Sequence, residues 1–156
     1  RVEVVPTPGK DYTVLIDYSH TPDSLENILR AVRGFCTGRI IAVFGCGGDR
    51  DPFKRPVMGK IAAELSDLAI VTSDNPRTED PYKILRQILA GMQDTETPYE
   101  VIESRVSAIG RAMELAQKDD VIVLCGKGHE TYQEIGHEKH HLDEREVVAS
   151  YLEANA

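Results

Sequence analysis

The sequence predicts an α/β fold, an open and mostly parallel β-sheet flanked by helices, and three observations support this prediction. Apolar runs of strand length alternate with amphipathic stretches of helix length along the chain. Several of the apolar runs contain almost no polar residues, which is typical of parallel strands covered on both faces. No internal repeat or flexible linker interrupts the sequence, so residues 1–156 are expected to form one domain.

Six stretches are predicted to be strands because they are apolar over most of their length. They are 2–5, 12–18, 39–45, 68–72, 99–102 and 120–126. A later stretch, 131–142, is predicted to be an antiparallel hairpin with Gly136 and His137 at its turn. The sheet should therefore be mostly parallel, with some antiparallel pairing near the C-terminus.

Four helices are predicted from their N-terminal caps and their apolar stripes. The capping residues are Thr21, Asp80, Ser104 and Asp143, and Glu146 is placed for a capping box with Asp143. The residues expected to face the core are Leu25, Ile28, Leu29, Val32, Ile84, Leu85, Ile88, Leu89, Val106, Ile109, Met113, Val147, Val148, Tyr151 and Leu152.

The charge balance argues against two classes of partner. The chain carries a formal net charge of -8, whereas nucleic acids and anionic membranes attract positively charged surfaces. We therefore expect no nucleic acid and no membrane among its main partners. No apolar run approaches the ~20 residues of a transmembrane helix, and no signal-peptide pattern opens the sequence.

The three cysteines indicate a reducing compartment. Their number is odd, they form no C-x-x-C pair, and Cys46 and Cys125 lie in or beside apolar strand-like runs. These features are typical of buried free thiols in the cytoplasm. Because the chain starts at Arg1 rather than at a methionine, we also expect it to be part of a longer protein.

Four polar loops follow predicted strands and are the candidate ligand-binding segments. They cover residues 17–22, 45–51, 73–77 and 126–130. In an open parallel sheet, ligands bind beyond the carboxyl ends of the strands. All four loops are rich in side chains that can bind charged groups of a ligand. Loops that only connect strands to helices do not need so many of them.

Neither glycine-rich loop matches a standard phosphate-binding motif. "GCGGDRD" has Arg50 where G-x-G-x-x-G requires glycine, and "GKGHE" lacks the Lys-Ser/Thr pair of a P-loop. The glycines by themselves indicate tight turns. Arg50 could bind a carboxylate and Glu130 an ammonium group, but the alternative for each is a solvated surface charge.

The roles of Asp17 and His20 stay open, whereas the other histidines give no support for a metal site or a catalytic triad. Asp17 and His20 precede the first helix, where they could cap it and offset its dipole or could contact a nucleotide. His137, His140 and His141 scatter over both faces of the predicted hairpin, so no metal site is expected. No Ser-His-Asp arrangement can be assigned.

Taken together, four segments in this order resemble one family. "VLIDYSHTPDSLENIL", "VFGCGGDRDPFKRPVMG", "VTSDNPRTEDP" and "GKGHE" are similar to the C-terminal domain of the Mur ligases, and the resemblance covers essentially the whole chain. It implies a Rossmann-like sheet. The most specific segment is "DNPR", which is the motif that recognises meso-diaminopimelate in this family, and lysine-adding relatives usually depart from it at the arginine.

The resemblance implies a set of site residues. Those implied to hold meso-diaminopimelate are Arg50, Asp74, Asn75, Pro76, Arg77, Gly126 and Glu130. Those implied to face the nucleotide are Arg1, Asp17 and His20. Ser73 is a small departure, because many relatives carry a second aspartate there.

The resemblance also implies a reaction. ATP would phosphorylate the D-glutamate γ-carboxylate of a UDP-N-acetylmuramoyl dipeptide, and an amine of meso-diaminopimelate would attack the acyl phosphate. The groups that hold Mg²⁺ and the ATP phosphates would belong to two preceding domains. No catalytic residue is then expected in this chain, which would be inactive alone.

Two alternatives remain at this stage. The chain could belong to a related ligase that adds another amino acid, such as a lysine-adding or folylpolyglutamate-type enzyme. It could also be a Rossmann-like binding module without catalytic partner domains.

Overall fold

A six-stranded sheet forms the centre of the molecule. The computed structural model describes residues 2–156, so the nucleotide contact expected of Arg1 lies outside the described residues. The strands run in the spatial order β1-β2-β6-β3-β4-β5, with β1 antiparallel to β2 and all other neighbours parallel. Their bounds are β1 (Glu3–Val5), β2 (Thr13–Asp17), β3 (Ile40–Phe44), β4 (Leu68–Val71), β5 (Tyr99–Val101) and β6 (Val121–Cys125). Each of the six predicted strands is confirmed to within one residue at either end.

The central strands are apolar throughout because both faces of the sheet are covered. Every residue of β3, β4 and β6 is buried. Successive side chains of a strand point to opposite faces, so Ala42 and Phe44 join one core cluster while Ile41 and Val43 join the other. The sheet therefore separates two hydrophobic cores.

Five helices among the described residues complete the layers. They are α1 (Pro22–Arg33), α2 (Lys54–Leu65), α3 (Pro81–Ala90), α4 (Arg105–Leu115) and α5 (Glu144–Ala154). The buried hydrophobic residues of α1, α2 and α3 belong to one core cluster, and those of α4 and α5 belong to the other. The predicted α/β class is confirmed.

The sequence analysis missed α2 because this helix has no clear apolar stripe. Its buried positions include Met58, Gly59 and Ala62, and small residues contribute little to a periodic pattern. A Cβ on Gly59 would collide with the carbonyl group of Ile88 in α3. The glycine thus allows α2 and α3 to approach closely.

The caps of α1, α3 and α4 are confirmed, whereas two details of the predicted helices are wrong. Asp143 does cap α5 through the amide of Arg145. Glu146, however, forms no capping box, because its carboxylate lies 2.7 Å from Nε2 of His141. Val106 was expected in the core but is 51% exposed.

The predicted antiparallel hairpin is confirmed, but it forms a separate two-stranded sheet, and the antiparallel edge of the main sheet is β1. The hairpin consists of β7 (Tyr132–Ile135) and β8 (Glu138–His141). Gly136 lies in its two-residue turn with φ 62°, a conformation that glycine adopts readily. In residues 2–156, none of the helices combines the length and the apolar character needed to cross a bilayer.

Candidate functional site

The four polar loops meet in one cavity at the carboxyl edge of the parallel strands. The loops follow β2, β3, β4 and β6, which are neighbours in the sheet. The cavity has a volume of about 410 Å³, which suits a small ligand. Its lining consists of Tyr18, His20, Thr21, Gly47, Arg50, Lys54, Asp74, Asn75, Arg77, Gly126 and Glu130.

Arg77 is fixed by the hairpin and by the loop after β3. Its Nε donates to Oε2 of Glu134 at 3.0 Å, and its Nη1 donates to the carbonyl of Gly48 at 3.0 Å. Its backbone has φ 52°, which is costly for a non-glycine residue, and is held because its amide donates to the carbonyl of Glu134. Within residues 2–156, Nη2 has no hydrogen-bond partner, so it remains available to a ligand.

Asn75 presents a hydrogen-bond donor to the cavity. Its side-chain oxygen accepts from Nζ of Lys127 at 2.8 Å and from the backbone amide of Glu134 at 2.9 Å. An atom that accepts from two donors must be the oxygen of the side-chain amide. The amide nitrogen therefore remains free to donate to a ligand. A donor at this position fits a carboxylate.

Two acids and a buried lysine form the floor of the cavity. Lys127 is 0% exposed, and its Nζ lies 3.5 Å from Oδ1 of Asp74 and 3.3 Å from Oε1 of Glu130. Oδ1 of Asp74 is buried and accepts no hydrogen bond within residues 2–156. An unsatisfied buried acceptor is costly, so a ligand ammonium here would be stabilised.

Tyr18 covers one side of this floor. Its hydroxyl donates to Oε2 of Glu130 at 3.4 Å, and burial raises the pKa of the phenol, so the donor proton is retained at neutral pH. A Cβ at position 128 would collide with the Tyr18 side chain, and Gly128 has φ 55°. Glycine is needed there for both reasons.

The rim of the cavity carries positive charge. Arg50 is exposed, and the only side-chain bond it forms in the described structure is from Nη1 to the carbonyl of Asp49. Lys54 donates to the carbonyl of His20 at 2.9 Å, which ties the start of α2 to the loop after β2. The ring of His20 packs at 4.7 Å from that of Tyr18.

Two buried arginines hold the loops in place from below. Arg55 forms a bidentate pair with Glu79 and donates to the carbonyl of Gly47. The hydrogen bonds from Arg55 lower the pKa of Glu79 to about 2. Arg55 lies in the first turn of α2, Gly47 lies in the loop that carries Arg50, and Glu79 follows Arg77 in the loop after β4. Arg55 therefore fixes these two loops against each other.

Arg105 plays the same part for the ends of β4 and β6. Its guanidinium donates to the carbonyls of Ser73 and Cys125, and its Nε donates to Glu144 at 2.7 Å. Arg105 is 1% exposed and Glu144 is 0% exposed. The pair thus holds the backbone immediately before Asp74 and Gly126.

Some expected site residues lie outside the cavity. Pro76 is buried behind it, against Gly48, where a Cβ would collide with the Pro76 carbonyl. Asp17 lies under α1, and its carbonyl accepts from the amide of Gly126 at 2.9 Å. His20 does line the cavity.

The sequence analysis missed several residues that shape the site, namely Tyr18, Lys54, Arg55, Arg105, Lys127 and Glu134. For Tyr18 and Lys127 one signal was available, because both lie within the polar loops identified as candidate ligand-binding segments. The role of Glu134 depends on how the hairpin packs, and no local pattern indicates that.

The thiols, and the histidines other than His20, do not line the cavity in the described structure. Cys46 and Cys125 are buried as predicted, and burial raises the pKa of each to about 12, so neither thiol is a nucleophile at neutral pH. His141 is paired with Glu146, which raises the pKa of the imidazole. The described residues contain no cluster of three or more His, Cys, Asp or Glu side chains that could hold a metal ion.

The fold and the cavity define an α/β domain with a cavity lined by charged side chains at the carboxyl edge of its sheet. Residues 1–128 match the family described as "Mur ligase, glutamate ligase domain", and the chain therefore belongs to this family.

Curated relatives refine this result. The chain is 62% identical over 152 residues to the UDP-N-acetylmuramoyl-L-alanyl-D-glutamate–2,6-diaminopimelate ligase of Trichormus variabilis, covering 97% of this chain and 30% of that protein. It is 54% identical over 152 residues to the enzyme of the same name from Clostridioides difficile, covering 97% of this chain and 31% of that protein. The chain thus spans about a third of the length of the curated relatives it matches.

Solved structures agree on the fold. A structure of UDP-N-acetylmuramoyl-L-alanyl-D-glutamate–2,6-diaminopimelate ligase superposes with a TM-score of 0.93 at 39% identity, covering 99% of this chain and 31% of that one. A bifunctional folylpolyglutamate synthase/dihydrofolate synthase from Yersinia pestis, complexed with AMPPNP and a Mn ion, superposes with a TM-score of 0.59 at 16% identity, covering 97% of this chain and 30% of that one. The second similarity concerns the fold alone.

Proposed function

We propose that this chain is the amino-acid-binding domain of an ATP-dependent ligase that adds meso-diaminopimelate to a UDP-N-acetylmuramoyl-L-Ala-D-Glu precursor of peptidoglycan. The observation that carries the proposal is the orientation of Asn75. Because Lys127 and the backbone amide of Glu134 occupy its oxygen, its nitrogen is left as a donor in the cavity that Arg77 also lines. Both groups can bind a carboxylate and neither can accept from an ammonium group.

The arrangement of charges matches both ends of the ligand. meso-Diaminopimelate has two carboxylates and two amino groups, whereas lysine lacks the distal carboxylate. Arg77 and Asn75 offer donors for one carboxylate, and Arg50 on the rim offers a cation for the other. Asp74 and Glu130, together with the carbonyl of Gly126, offer acceptors for ammonium groups.

This pairing gives a physical reason for selectivity. When lysine enters, Arg77 and Asn75 keep donors that no ligand group satisfies. Leaving such groups unpaired in a closed site costs about 1–3 kcal/mol each, so several kcal/mol of discrimination is available. Pro76 contributes by restricting the backbone between Asn75 and Arg77.

The ATP and Mg²⁺ chemistry is assigned chiefly to the rest of the enzyme. The described residues offer no cluster of acids for a metal ion. The role that we assign to this chain is therefore limited to contacts with the nucleotide. These contacts come from the loop that contains His20, together with Asp17 and Arg1. ATP supplies the activated phosphoryl group that the acceptor carboxylate needs. This chain holds and orients the attacking amino acid, which is catalysis by proximity. We place the enzyme in the cytoplasm, where its free thiols stay reduced.

The test is a reconstituted reaction with the full-length protein. We expect ADP release that depends on both the UDP-linked dipeptide and meso-diaminopimelate, with a product whose mass corresponds to one added diaminopimelate residue. The 156-residue chain alone should give no turnover. Preferential addition of L-lysine or L-glutamate would contradict the proposal and favour a related ligase, and absence of any ATP-dependent addition would favour a binding module.

A further inference from the structure

Lys127 is a fully buried cation whose hydrogen bond and ion pairs are all with residues that line the cavity. Its Nζ donates to Oδ1 of Asn75 at 2.8 Å and lies within 3.5 Å of a carboxylate oxygen of Asp74 and of Glu130. The same ammonium lies 5.8 Å from the ring centre of Tyr132. An unpaired buried ammonium would be very costly, so these partners account for its presence.

The first consequence concerns the side-chain amide of Asn75. The bond from Lys127 keeps the oxygen of this amide turned away from the ligand. Without that bond, only the backbone amide of Glu134 would hold the oxygen, and the side chain could rotate. A rotated amide would present an acceptor, which repels a carboxylate and attracts an ammonium.

The second consequence concerns the net charge of the floor. Asp74 and Glu130 are two acids on either side of one buried cation. At neutral pH meso-diaminopimelate carries no net charge, whereas L-lysine carries one positive charge. Removing the Lys127 cation would make the floor more negative, which favours the more positive ligand.

We propose that Lys127 is a positioning residue that sets the preference of the cavity for an amino acid with a second carboxylate. It acts through Asn75, Asp74 and Glu130 rather than by touching the ligand. This inference rests on the proposed function and extends it to a residue beneath the cavity. Lys127 thereby connects the loop after β6 to the loop after β4, which carries the groups that donate to the ligand carboxylate.

The test compares two amino acids in the full-length protein carrying Lys127→Met. We expect kcat/KM for meso-diaminopimelate to fall about 50-fold, which corresponds to the loss of one charge-assisted hydrogen bond to its distal carboxylate. L-Lysine lacks this carboxylate, so its kcat/KM should change less than about threefold. The KM for ATP should stay within about threefold of the wild-type value. The ratio of the two kcat/KM values is the decisive quantity.

Lys139→Met is the matched control. Lys139 is an exposed lysine of the hairpin whose Nζ lies 4.4 Å from the centre of the same Tyr132 ring. It shares the aromatic contact of Lys127 but none of the cavity contacts, so its removal should leave both kcat/KM values unchanged.

A second variant guards against a misfolded protein. Lys127→Gln keeps a hydrogen-bond donor without the charge and should shift the ratio in the same direction by about fivefold. Equal losses for both amino acids in these variants, or no loss for meso-diaminopimelate, would overturn the inference. A wild-type protein that uses L-lysine as well as meso-diaminopimelate would instead contradict the proposed function, and this inference with it.

Discussion

The two ends of the parallel sheet both carry charged side chains, but they differ in how completely these charges are paired. At the amino end, Asp120 accepts from the backbone amide and from the guanidinium of Arg39. Asp67 accepts from the backbone amide of Ile40 and from Arg33. These charges are engaged in holding the chain together.

At the carboxyl end, hydrogen-bonding capacity is left over within residues 2–156. Nη2 of Arg77 and the amide nitrogen of Asn75 have no acceptor, and Oδ1 of Asp74 has no donor. The comparison teaches that charge alone does not mark a binding site. Unused donors and acceptors that are held rigidly around a cavity do.

The largest effect is expected for a buried ion pair that lies at the carboxyl end but outside the cavity, Arg105 with Glu144. Glu144→Gln would leave the buried guanidinium of Arg105 without its counter-ion, so we expect a loss of about 3–5 kcal/mol in the free energy of unfolding. Urea denaturation measures this change. The control is Glu114→Gln, which removes an exposed partner of Arg111 and should cost less than about 0.5 kcal/mol. Similar losses for both variants would show that burial of the pair does not matter.

The next effect concerns substrate affinity, which should change at the carboxyl end of the sheet and not at the amino end. Arg77→Ala should raise the KM for meso-diaminopimelate in the full-length enzyme about 100-fold, because the ligand carboxylate loses a charge-assisted donor. The KM for ATP should change less than about threefold in steady-state assays. Arg33→Ala, at the amino end, should change neither KM. Equal rises in both KM values for Arg77→Ala would count against direct recognition of the amino acid.

The amino end should respond in stability alone. Asp120 is 2% exposed, and Asp120→Asn replaces a carboxylate that accepts several hydrogen bonds. We expect a loss of about 2 kcal/mol in the free energy of unfolding, measured by urea denaturation, with KM for meso-diaminopimelate unchanged. A large rise in that KM would mean that the two ends are coupled through the sheet.

The smallest effect depends on pH. The hydrogen bonds from Arg55 lower the pKa of Glu79 from an ordinary 4.5 to about 2. A lowered folded-state pKa stabilises the protein above the unfolded-state value, and that stability is lost as the pH falls through the folded-state value. Glu79 is partly solvated, so we expect Glu79→Gln to cost only about 1.5 kcal/mol at pH 7.

This cost should shrink as the pH is lowered from 5 towards 2, since Glu79 becomes progressively protonated, first in the unfolded state and then, near pH 2, in the folded state. Urea denaturation of the two proteins across this pH range checks the prediction. A difference that stays constant down to pH 2 would contradict the assigned cause of the pKa shift.

Sequence patterns predicted most of the fold because the relevant forces are local or periodic. Buried strands such as β3 and β6 are apolar at each position, and caps such as Thr21 and Ser104 are local hydrogen bonds. The helix α2 was not predicted because its buried face contains several small residues. Its stability comes from close packing against α3, which no periodic pattern records.

The site was predicted less completely, for a related reason. Arg50 and Arg77 stand in polar loops where sheet topology brings ligand groups together, and both line the cavity. Lys127 and Arg105 act from beneath it, through contacts with residues distant in sequence. Whether a charged residue is buried against such partners is decided by tertiary structure.

The most direct test of the central claim is calorimetric titration of the full-length protein with meso-diaminopimelate and L-lysine under identical conditions. If the unused donors of Arg77 and Asn75 bind the distal carboxylate, meso-diaminopimelate should bind at least about 50-fold more tightly than L-lysine. Equal affinities, or tighter binding of L-lysine, would contradict the account.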